Sequence, residues 1–232
     1  MNETMSLWKK VYGVIWGSPA RTLDHIAQKP DFVGAGGLIL AANLALTAVL
    51  VPKIREFTAW TMQNLPPGVK LSALQMDIAV NAAVVSALAA AVIIPPVLWL
   101  VMAGLLKLFN AFTGEKAGFK PLFAVTVFAY LPVLLGSIVK TAIILATPAR
   151  SMARVTISPA LFMPAPDLVP GKAYILLSHM DPFVVWSLVL TALGGSLAMK
   201  IPFWRTFIYL AALWVLYIVG MTFISGIGRV AA

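Results

Sequence analysis

Apolar and polar positions fall into long blocks along this chain. Five apolar runs, about 32–51, 78–106, 122–147, 182–199 and 203–224, alternate with short stretches that hold most of the charge. From Leu122 to Val139 there is no charged residue. At about 1.5 Å per residue that segment measures roughly 27 Å, close to the roughly 30 Å hydrocarbon core of a bilayer. Such runs are too long for ordinary strands. They predict an all-α, polytopic membrane helical bundle with five transmembrane helices.

The exceptions within the runs carry the information. Pro95-Pro96 in the second run predicts a kink, because proline removes backbone donors. Ala79, Ala83, Ala87 and Ala91 recur every four residues, a spacing that lets another helix approach closely. In the third run Tyr130, Pro132 and Lys140 stand among apolar neighbours, and Tyr130 and Pro132 are expected to mark a kink whose freed carbonyl is satisfied by a neighbouring hydroxyl or amide. Lys140 lies near the end of that run, where its stem can snorkel to water. The apolar sequence nevertheless continues from Thr141 to Ala146. If those residues are also in hydrocarbon, Lys140 must face the bundle, because an exposed lysine at the bilayer centre costs at least about 2.5–3.5 kcal/mol. Asp181 is the expected charged neighbour, with Asp77 the next.

Residues 1–31 read differently. Leu7, Val11, Val14 and Ile15 recur at helical spacing, with Trp8 and Tyr12 beside them and Lys9 and Lys10 on another face. Gly17 can end this helix, and Ser18-Pro19 starts a second, with Leu23, Ile26 and Ala27 on one side. Lys29-Pro30 stops it. The pair is expected to be amphipathic and to lie in the membrane interface; a hairpin packed on the loops is the alternative. The apolar stretch Val11 to Trp16 is too short for a signal peptide, and no A-x-A pattern follows. A further interfacial helix is expected from Lys53 to Leu65, after a stop at Pro52. The longest polar stretch, 149–180, carries Pro159, Pro164, Pro166 and Pro170.

Composition agrees with this division. Hydrophobic residues make up 61% of the 232 and charged residues 11%. Soluble domains carry about 45–50% and about 25%, so the solvent of this chain is lipid. The net charge of +9 sits in segments flanking the apolar runs, where it meets anionic headgroups rather than nucleic acid. Lys and Arg divide nine to seven in favour of the N-terminal side, which places the N-terminus in the cytoplasm and, across five spans, the C-terminus opposite. Without cysteine, disulfides, thiolate catalysis and iron–sulfur ligation are excluded. No phosphate-cradling, nucleophile-elbow or zinc-protease motif is present. His179 and Asp181 could supply two metal ligands, but nothing nearby completes a set. No catalytic residue, cofactor or metal is expected. Asp181, before Pro182, reads as a helix cap. Asn43 and Asn81 are expected to bond neighbouring helices.

Three segments carry a likeness. Residues 11–30, with Ser18-Pro19 and then Lys29-Pro30-Asp31, form the first. The second is Gly114 and Gly118-Phe119-Lys120 leading into Ala129-Tyr130-Leu131-Pro132. The third is Met180-Asp181-Pro182-Phe183-Val184-Val185-Trp186, with Gly194-Gly195 behind it. Together they resemble bacterial members of the Ypt/Rab-interacting membrane proteins, the Yip family. The resemblance implies five spans and an amphipathic front end. Eukaryotic relatives are associated with Rab GTPases and vesicle traffic, but nothing in this sequence indicates a GTPase partner.

Two functions fit these residues. One is a non-enzymatic protein, in a bacterial inner membrane, that organises lipid or holds membrane protein partners, its own partner being a membrane protein or a second copy in a homo-oligomer. The other is a small carrier or channel for an ion, small solute or lipid, suggested by prolines in two central spans and an ionisable residue in the third. Lys140, Asp181, Tyr130, Pro132 and Trp186 are the candidate functional or bundle-facing positions.

Overall fold

The computed structural model describes residues 5–65, 71–114, 117–163 and 171–227. Their regular structure is entirely helical. Two short helices, α1 (Leu7–Ile15) and α2 (Pro19–Gln28), precede α3 (Val33–Gln63) and α4 (Ala73–Thr113). The third apolar run forms α5 (Phe119–Ala129) and α6 (Leu131–Ala146). Two 3-10 turns, Ala149–Arg154 and Pro159–Phe162, lead towards α7 (Lys172–Ser178). Then come α8 (Pro182–Met199) and α9 (Phe203–Ile227). Five stretches are long and apolar enough to cross a membrane: α3, α4, α5 with α6, α8 and α9. Of the expected loop 149–180, residues 164–170 lie outside the described residues.

Local chemistry sets several boundaries. Ser72 accepts from the Gln75 backbone N–H while the Gln75 side chain accepts from the Ser72 N–H, a reciprocal cap that starts α4. Gly114, at φ 75°, ends it in the left-handed conformation. Asp181 caps α8 as expected, accepting from Phe183 N at 2.8 Å.

The stop expected at Pro52 is absent, whereas the third span is interrupted where Tyr130 and Pro132 led a kink to be expected. Helix α3 runs straight through Pro52, so no separate helix begins at Lys53. Pro52 is exposed, and proline sacrifices only one intrahelical bond. Helix α4 likewise continues through Pro95-Pro96. The third span, by contrast, divides at Tyr130, two residues before Pro132. Pro132 has no N–H to offer the carbonyl four residues earlier, and it is buried in the core, where water cannot compensate.

The α5–α6 span is the axis of the bundle. Of its most apolar window 61% is buried within the protein, against 17% for α3, α4 and α9. Helices α3 and α4 form an antiparallel pair. Gly36 faces the Trp99 ring near one end, and Arg55 Nη2 donates to Asn81 Oδ1 at 3.1 Å near the other. At about 1.5 Å per residue, α3 and α4 span roughly 46 and 62 Å. Both outrun a bilayer core. Helix α8 lies across α5 at Gly194, where an added Cβ would collide with Val125 Cγ1.

The front-end pair is docked in the bundle. Val14, Leu23 and Ile26 are fully buried in one cluster with Ala35, Ile39, Phe128 and Leu190. The apolar faces expected on α1 and α2 thus meet protein, chiefly α5 and α8 in the case of α2. Exposed apolar surface is supplied instead by Trp8 and Tyr12 on α1 and by Trp16 at its cap, at every fourth position and 64–67% exposed. Lys10, expected on the polar face, turns inward and is 5% exposed.

Candidate functional site

Helix α8 presents two faces. Trp186, Leu190, Leu193 and Leu197 pack into the cluster that holds α2. Val184, Ser187, Leu188 and Thr191 line the other side, facing a cleft bounded by α4, α5–α6 and α9. The cleft has two connected parts, of about 570 Å³ and 190 Å³, which share Leu98, Met102, Val184, Leu188 and Trp214. Its walls are overwhelmingly apolar, and its volume lies in the range of ordinary ligand pockets.

Polar groups gather at one end. Ser178, His179 and Asp181 line the larger part of the cleft. Asp181 also lines an adjoining cavity of about 180 Å³, together with Lys140, Ser137 and Gly136. Val184 borders all three spaces. Phe183 fixes this corner: its ring sits against Gly136, where an added Cβ would lie 2.9 Å from ring carbons.

The depth of this end follows from the helices. Lys53 Nζ donates to Thr147 O at 2.7 Å, which puts a charged group level with the end of α6. Lys140 is seven residues earlier, roughly 10 Å further in. The α3–α4 pair continues in the opposite direction, from Lys53 to Gln63, for roughly 15 Å. At this corner Lys140 is exposed and Asp181 is half-buried.

Lys140 and Asp181 share a cavity without closing an ion pair. The ion pair present among the described residues is Lys10–Asp31. Asp181 spends one carboxylate oxygen on its cap, and Lys140, which also lines the cavity, is exposed. Asp77 is elsewhere, accepting from Asn81 Nδ2 at 3.2 Å. His179 Nδ1 lies 2.7 Å from the Ile175 carbonyl, which requires a proton on that nitrogen, and its ring meets Tyr217 edge-on at 5.8 Å.

The other sequence candidates divide. Tyr130 lines the inner part of the cleft, its ring edge-on to Trp99 at 5.9 Å. Pro132 is buried at the helix break, and Trp186 belongs to the packed face of α8. Ala79, Ala83, Ala87 and Ala91 form a half-buried stripe on α4, towards the end that Arg55 ties to Asn81. They take no part in the cleft. Asn81 does bond a neighbouring helix, whereas the buried Asn43 Nδ2 has no partner among the described residues. Sequence reasoning missed Trp99. It is 4% exposed, its carbonyl accepts from the Thr126 hydroxyl at 3.2 Å, and its indole N–H has no partner among the described residues. The available signal was its position: a tryptophan in mid-span, away from the interfacial belt where this residue usually sits.

No group of three or more His, Asp or Glu side chains able to hold a metal occurs among the described residues. The geometry offers a wall for an apolar chain and, at one end, one cation, one anion and hydroxyls. No curated protein and no solved structure is significantly similar to the chain. The family model described as the Yip1 domain matches residues 12–224, and the five-span protein with its docked front end belongs to that family.

Proposed function

We propose that this protein is a non-enzymatic integral membrane protein that organises membrane lipid by holding a lipid molecule in the cleft between α4, α8 and α9. One observation carries the reading: an apolar cleft of about 570 Å³ ends at the polar group Ser178, His179 and Asp181. That arrangement matches an amphipathic molecule with a long apolar part. The membrane is taken to be a bacterial inner membrane with the N-terminus cytoplasmic, as the charge distribution supports. A partner protein or a second copy would then read the lipid-loaded state from outside the bundle.

The test is recovery of lipid with the purified protein. Native mass spectrometry from mild detergent is expected to show about one tightly held lipid per chain. Val184→Trp, which fills the space common to all three cavities, is expected to remove it. Lipid retention unaffected by this change places the lipid elsewhere and rejects the cleft.

The carrier reading has its own support, the break of the third span at Tyr130 beside the cleft, since interrupted helices often line transport sites. Flux of a solute or ion into proteoliposomes, lost in Lys140→Met, is its test.

A further inference from the structure

We infer that the corner formed by Lys140 and Asp181 selects a zwitterionic phospholipid whose head carries a primary ammonium, of the phosphatidylethanolamine type. The inference rests on the lipid reading above and names the headgroup. Lys140 and Asp181 line one cavity of about 180 Å³ yet stand more than 4.0 Å apart, since they form no ion pair. Lys140 is exposed and Asp181 half-buried, and neither has an ion-pair partner among the described residues. A zwitterionic head pairs with both. Its phosphate takes the Lys140 ammonium, which has no hydrogen bond to any described residue. Its ammonium takes the Asp181 oxygen that the cap leaves free. At about 30 Å³ per water-sized group, the cavity has room for several such groups. Val184, which borders both this cavity and the cleft, marks where the head passes into the chain.

The charges decide between lipids. An anionic glycerol head matches Lys140 but brings no cation to Asp181. A trimethylated choline head brings a cation that cannot donate a hydrogen bond. Charge-assisted hydrogen bonds of this kind correspond to about a tenfold or greater preference. Asparagine caps helices as well as aspartate does, so Asp181→Asn keeps the start of α8 while removing the charge.

The experiment uses the full chain, delipidated in detergent and titrated with phosphatidylethanolamine, phosphatidylglycerol or phosphatidylcholine of matched chains. Binding is followed by native mass spectrometry and by thermal unfolding. The expected result is about a tenfold preference for phosphatidylethanolamine over both others. In Asp181→Asn the preference over phosphatidylglycerol should collapse, and in Lys140→Gln all three phospholipids should weaken together. Binding of phosphatidylglycerol as tight as that of phosphatidylethanolamine overturns the inference, and so does an unchanged preference in Asp181→Asn. Lipid held with no head preference but released by Val184→Trp rejects the head assignment alone. No retention of any of the three lipids rejects the lipid reading itself.

Discussion

Lys10 Nζ lies 3.5 Å from Asp31 Oδ2 and 6.0 Å from the centre of the Phe128 ring. One lysine thus joins α1 to the linker before α3 and to the face of α5. The ammonium is nearly enclosed while its carboxylate partner is largely open. Exposed pairs contribute at most about 1 kcal/mol, and breaking a buried pair costs about 3–5 kcal/mol. Asp31→Asn is expected to fall between these limits, at about 1–3 kcal/mol. Lys10→Met, which removes the buried charge as well, should cost less than Asp31→Asn. A double-mutant cycle on thermal unfolding in detergent measures the coupling. Equal and additive effects would show that the pair does not fasten the front end.

The front end has an inner and an outer face, and the two should respond differently. Ile26 is fully buried. Ile26→Ala is expected to destabilise by about 2–5 kcal/mol, the usual range for such a truncation in a packed core. Trp8, 67% exposed, should leave the melting temperature within about a degree when changed to alanine, since surface substitutions stay within about 0.5 kcal/mol. Its fluorescence should be quenched by labels at interfacial depth in the bilayer. Quenching only from the aqueous phase would exclude contact between this face and lipid.

Much of this architecture was legible because hydrocarbon imposes a simple rule: an apolar run of bilayer length becomes a helix. The α8 boundaries follow from Asp181-Pro182 at one end and Lys200 at the other. The apolar stripe of α2 was equally plain, but periodicity says which residues seek a non-aqueous surface, not whether that surface is lipid or protein. Lys10 was misplaced for a related reason. A lysine is assigned to the polar face until tertiary structure supplies Asp31 and the Phe128 ring. Among the prolines, Pro132 was read correctly and Pro52 was not. Pro52 and Pro95-Pro96 sit within continuous helices, whereas Pro132, buried at the axis, follows an interruption. Asp181 and Lys140 were found because charge is conspicuous in apolar sequence. The cleft was not, since its walls are the same leucines and valines that face lipid.

The alanine stripe gives a packing prediction. Ala79, Ala83, Ala87 and Ala91 are all half-buried on a helix paired with α3. Ala87→Leu is expected to destabilise by about 1–3 kcal/mol through overpacking. An unchanged melting temperature in detergent would mean that this face looks into lipid.

Five spans would place the termini on opposite sides, and from the nine-to-seven division of Lys and Arg the N-terminus is expected in the cytoplasm. Paired reporter fusions active only in the cytoplasm or only outside it should report opposite locations for the two ends. Termini on the same side would refute the five-span count, not just its orientation.

Gly136 is where the third span meets the start of α8, so a single methyl there should be felt at the polar corner. An added Cβ would stand 2.9 Å from two ring carbons of Phe183 and 3.0 Å from its Cβ. Rotation of the ring cannot relieve a collision with the Phe183 Cβ, so the backbone of α8 must move. Gly136→Ala is therefore expected to destabilise by about 1–3 kcal/mol, despite the gain in helix propensity of roughly 1 kcal/mol that alanine brings. Asp181 is two residues from Phe183 and travels with it, so the Lys140–Asp181 separation should change as well. Phe183→Ala removes the obstacle. In the double variant the Gly136→Ala penalty should vanish, giving a coupling of about 1 kcal/mol or more. Two additive penalties would mean that α8 does not rest on Gly136. If stability couples in this way but lipid retention is unchanged in Gly136→Ala, the corner tolerates displacement of Asp181 and the headgroup is not held by this carboxylate.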